Sequence, residues 1–81
     1  MRKLEDVIKA MLEHIPAEET ALRADLERVR QSAFFRAPED SRNLWRELSD
    51  IFNGHFRGNE CTALSDIPRW GHQAGRMLAG Q

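Results

Sequence analysis

Leu4, Val7, Ile8, Met11, Leu12 and Ile15 fall at offsets of 0, 3, 4, 7, 8 and 11, a spacing that lines up one face of an α-helix and no face of a β-strand. The intervening Lys3, Glu5, Asp6, Lys9 and Glu13 make the opposite, solvated face. Pro16 ends the pattern, because a residue preceding proline leaves the helical region of backbone space. Proline is equally at home as the first residue of a helix, so Pro16 reads as the start of a second one, with Glu18 and Glu19 near the positive end of its dipole.

The same argument repeats along the chain. Leu22, Leu26, Val29 and Ala33 continue at spacings of four, three and four, and Pro38 repeats the stop and restart. Leu44, Trp45, Leu48, Ile51, Phe52 and His55 form a third stripe, with Arg42, Arg46, Glu47 and Asp50 mostly facing water. Gly54 and Gly58 then read as terminators, so Asn53 to Asn59 is expected to be a loop, followed by a short helical piece from Cys61 to Leu64. Ser65 or Asp66 can cap a last helix carrying Ile67, Trp70, Ala74, Met77 and Leu78, although Gly71 and Gly75 weaken it by about 1 kcal/mol each. No segment alternates with a period of two, and the chain has two Val and no Tyr. The expectation is an all-α fold: one domain over residues 1–81, with helices at about 2–15, 17–34, 38–53 and 66–79. Joints this short imply a small antiparallel hairpin or bundle of three helices plus a shorter C-terminal one.

Size sets the next limits. A chain of 81 residues and 9.4 kDa exposes roughly 5,000 Å² when folded, which leaves little room for a deep, water-excluding active site. The lone Cys61 cannot close an internal disulfide, so a disulfide-stapled scaffold is excluded and a reducing compartment is expected. No apolar run approaches the length of a membrane span, and the first residues lack the apolar core of a secretory signal. These features place the chain in the cytoplasm. The formal charge of −1 offers nucleic acid or anionic lipid no attraction from the molecule as a whole.

The chemical motifs are sparse. Cys61 with His55 and His72 is a conceivable thiol and base, but lone cysteines are commonly buried apolar residues and no thiol-enzyme signature accompanies this one. The same three residues lack the paired spacing of a structural zinc site, so neither metal nor other cofactor is expected. His14, at the end of the first helix, complements the dipole there. Arg28, Arg30, Arg36, Arg42 and Arg46 could grip an anion, with Phe34 or Phe35 stacking on a base. Glu27, Glu39, Asp40 and Glu47 dilute that cluster and favour ion pairs within the chain. A nucleotide or nucleic-acid binder using Arg28 to Arg46 is therefore the alternative reading.

The aromatic residues carry the leading one. Trp45 and Phe52 are in phase with the third stripe and are expected in the core. Phe34 and Phe35 cannot both point inward from adjacent positions, and Phe56 lies beyond a glycine. Aromatics and Arg are enriched at protein interfaces. A non-enzymatic interaction module is expected, a homodimer that also meets a larger partner protein through Phe34, Phe35, Arg36 and Phe56, with Arg42 and Arg46 as a polar rim.

Ile15-Pro16, Leu22, Leu26, Ser32-Ala33, Ala37-Pro38-Glu39 and Trp45 together resemble the texture of small helical accessory proteins encoded by temperate bacteriophages. The resemblance covers about the first half of the chain and includes no motif of known chemistry, so it transfers no functional residue. It implies an inhibitor that binds and blocks a host factor, a class that includes anti-CRISPR and other anti-defence proteins.

Overall fold

The computed structural model describes residues 3–58 and 64–80, and among these every regular element is helical. The order is α1 (Leu4–His14), α2 (Thr20–Ala33), a short 3-10 turn (Pro38–Asp40), α3 (Ser41–Gly58), a second 3-10 turn (Leu64–Asp66) and α4 (Ile67–Ala79). Each helix packs on its neighbour in sequence, and α1 also packs on α4, so the four close into a cycle. The molecule measures 33 × 19 × 18 Å, and α3, at roughly 1.5 Å per residue, runs along most of the long dimension.

The first stripe forms α1 as its spacing requires: Leu4, Val7, Ile8, Met11 and Leu12 are buried, and Glu5 and Asp6 occupy the first turn. Ile15 is extended ahead of Pro16, which stops the helix. Pro16 does not open α2, however. The Glu19 N–H closes back on the Pro16 carbonyl at 3.1 Å, and Glu19 itself leaves helical geometry, so α2 begins only at Thr20. Glu19 is buried at the head of α2 rather than solvated in its first turn.

The largest departure from the sequence reading is in α3. The helix passes straight through Asn53 and Gly54, where a loop was expected, and ends at Gly58. Phe52 and His55 are both buried there, extending the stripe begun by Leu44 and Leu48. Burying one large apolar side chain is worth roughly 1.5–3 kcal/mol, more than the about 1 kcal/mol that a helical glycine costs. Local propensity loses to packing.

Ile67, Trp70, Ala74 and Leu78 bury the inner face of α4. Asp66 holds the N-cap position without a side-chain cap bond, and its carboxylate instead meets Arg69 at 3.4 Å. The expected helical piece from Cys61 onward lies outside the described residues, apart from the 3-10 turn that begins at Leu64. The largest fully enclosed side chains are all aliphatic: Leu4, Val7, Ile8, Leu22, Leu26, Leu44 and Leu48. Phe52 joins it as expected, whereas Trp45 is only partly buried, packed on the outside of the core.

Candidate interaction surfaces

The residues nominated from sequence fall into two places rather than one. Phe34 and Phe35 follow the end of α2, where the chain tightens through Phe35 N–H to Ser32 and Arg36 N–H to Ala33 carbonyl bonds. That turn throws both rings outward, at 63% and 87% exposure, with the rings edge to face and centroids 5.3 Å apart. Phe56, at 49% exposure, sits near the far end of α3. Fifteen helical residues separate Ser41 from Phe56, about 22 Å, so the structure does not bring Phe56 to Phe34 and Phe35.

The arginines also divide. Arg36 is turned inward, pairing with Asp40 at 3.5 Å and with Glu47 of α3, and so ties the joint down. Arg28 pairs with Asp25, and Arg30 with Glu27 at 3.5 Å. Arg42 and Arg46 are exposed on α3 and make no ion pair among the described residues. Three of the five arginines considered for an anion thus already hold carboxylates, which leaves an anionic ligand little free charge in that region.

Three contacts far apart in sequence hold the frame. Arg23 of α2 donates to the carbonyls of Leu12 and Ile15, both at 2.6 Å, capping the end of α1. His55 Nε2 of α3 lies 2.6 Å from Asp25 Oδ2 of α2, and the ring is buried. The Gln73 amide of α4 donates to His14 Nε2 at 3.3 Å, which gives His14 a structural partner. His72 stays exposed on α4 and Cys61 lies outside the described residues. Among the described residues no group of three His, Cys, Asp or Glu is placed to hold a metal ion, and no helix is long and apolar enough to cross a membrane.

Sequence reading missed a groove between α3 and α4. Gly71 and Gly75 face the aromatic side chains of α3: a Cβ on Gly71 would stand 3.8 Å from Phe52, and one on Gly75 would stand 3.4 Å from the Trp45 ring. Because α4 has no side chain at either position, recesses remain alongside. One, of about 290 Å³, is lined by Trp45, Ser49, Asn53, Phe56 and His72 among others; another, of about 340 Å³, lies by Arg42, Trp45 and Gly75. The available signal was the pairing of two glycines four residues apart with aromatics seven apart on the preceding helix.

Charge is distributed unevenly about this groove. Helices α3 and α4 carry five arginines, Arg42, Arg46, Arg57, Arg69 and Arg76, against Glu47 and Asp50, a net of +3. Helices α1 and α2 carry four cations against five acids, a net of −1. Comparison of the chain with protein-family models, curated protein sequences and solved structures returns no match.

Proposed function

We propose that the chain is a non-enzymatic interaction module that works by occupying a surface of a larger protein. The exposure of Phe34, Phe35 and Phe56 carries this reading. The core is already filled by residues from all four helices, so these rings are not needed to complete it. Each buries enough apolar surface in a complex to contribute roughly 1.5–3 kcal/mol. The short joints from α1 to α2 and from α2 to α3 support an antiparallel bundle as the rigid frame. The resemblance to temperate-phage accessory proteins supports a host protein as the partner, inhibition as the consequence, anti-CRISPR or other anti-defence action as its class, and the cytoplasm as its location.

Retention of a partner from nuclease-treated host lysate tests the proposal. The wild-type chain is expected to hold a defined host protein, and a variant with Phe34, Phe35 and Phe56 all changed to Ser is expected to lose it while keeping its thermal transition. Retention unchanged by those substitutions, or of nucleic acid alone before nuclease treatment, refutes the reading.

A further inference from the structure

We infer that the groove between α3 and α4 is a docking site for an acidic amphipathic helix of another protein, an inference that rests on the interaction-module reading and names the chemistry of the partner. Arg42, Trp45, Ser49, Phe52 and Phe56 line the α3 side at alternating spacings of three and four. That alternation keeps one seam of a helix facing a companion along its length. From Arg42 to Phe56 the seam runs about 21 Å, four turns of a docked helix. On the opposite wall, Gly71 and Gly75 let the Phe52 and Trp45 rings lie close against α4, and the recesses left beside Trp45 receive the partner's apolar side chains.

Charge selects the occupant. By helical phase Arg46 and Arg57 lie one step around α3 from the seam, beside Arg42, with Asp50 the only acid among them. Arg76 and His72 are exposed on the α4 side, and Arg69 stands beyond them with Asp66. A helix with apolar anchors and flanking carboxylates meets cations on both sides. A second copy does not fit, because a two-fold interface through this face would set its arginine rim against its own copy. A single-stranded nucleic acid fits less well: Phe52 is buried and Trp45 partly covered, so the floor offers pockets for side chains rather than open ring faces for bases.

The test uses fluorescence anisotropy with the full chain and three probes: a designed helical peptide with Leu at three-four spacing and Glu on its flanks, the same peptide with Lys for Glu, and an oligo-dT strand. The acidic peptide is expected to bind at least about tenfold more tightly than the other two. Two variants check the site, Arg42→Glu with Arg57→Glu on the exposed rim and Ser49→Trp in the recess. Each is expected to weaken binding about tenfold or more with the circular dichroism unchanged. Equal or absent binding of the acidic peptide, tighter binding of oligo-dT, insensitivity to both variants, or a dimer in light scattering that Ser49→Trp abolishes would overturn the assignment. If the groove variants still retain the wild-type chain's host protein, the module reading stands and the groove is not its docking site.

Discussion

The two halves of this molecule are built differently. Helices α1 and α2 bury aliphatic side chains, among them Leu4, Val7, Ile8, Leu22 and Leu26, and Arg23 binds the end of one to the flank of the other. Helices α3 and α4 meet through rings set against glycines, Phe52 near Gly71 and Trp45 near Gly75. Branched aliphatic side chains interdigitate and fill the space between helices. A flat ring over a bare backbone leaves its edges and the space beside it open. The first half consequently has an aliphatic seam with a slight acidic excess and an open recess at its rim by Glu5, Glu27 and Phe34, whereas the second has a basic surface with recesses between its two helices. Aliphatic packing and ring-against-backbone packing thus fall in different parts of a very short chain.

That contrast is sharpest in the response to truncation. Leu26→Ala, at a fully buried site of the aliphatic half, is expected to cost about 2–5 kcal/mol in denaturant unfolding. Equal losses at Leu26 and at half-exposed Phe56 would erase the distinction. Arg23→Met, which keeps the apolar stem but removes the donors to Leu12 and Ile15, should lower stability by about 1.5–3 kcal/mol and raise hydrogen exchange at the end of α1. Asp25→Ala removes the contact between α2 and buried His55 and should cost about 1–3 kcal/mol. A double-mutant cycle with His55→Ala isolates the pair, and a coupling of zero would show that the contact does not join the halves.

Smaller effects probe the open half. Gly54→Ala should stabilise the protein by about 0.5–1 kcal/mol, since a Cβ there meets nothing within 4 Å and the helix gains propensity. A loss of stability would mean that α3 does not continue through this position. Phe34→Ser and Phe35→Ser should each shift stability by less than about 0.5 kcal/mol, because both rings already stand in water. A melting temperature that falls substantially in either variant would make these rings structural.

Periodicity alone located α1, α2 and α4 to within a few residues, because their stripes of buried side chains are local features of the chain. It failed at Pro16 and at Gly54. At Pro16 a turn between Glu19 and Pro16 competed with helix initiation, and at Gly54 the burial of His55 and Phe52 overrode a terminator. Adjacency indicated that Phe34 and Phe35 would not both point inward, but the exposure of both rings depends on the turn that ends α2. The inward turn of Arg36 was not legible, because its partner Glu47 lies on the next helix, beyond the joint.

Helix-forming stripes, proline stops and the surplus of aromatic residues belong to the order of side chains along the chain, because each depends on neighbours within a turn or two. The tie between His55 and Asp25, thirty residues apart, depends instead on which helices face one another, as do the cap that Arg23 places on α1 and the groove bordered by arginines. Spacing within a helix fixes which face is apolar. The choice of companion for that face rests on how the volumes of all four helices fill one shared interior, a property that no single segment carries.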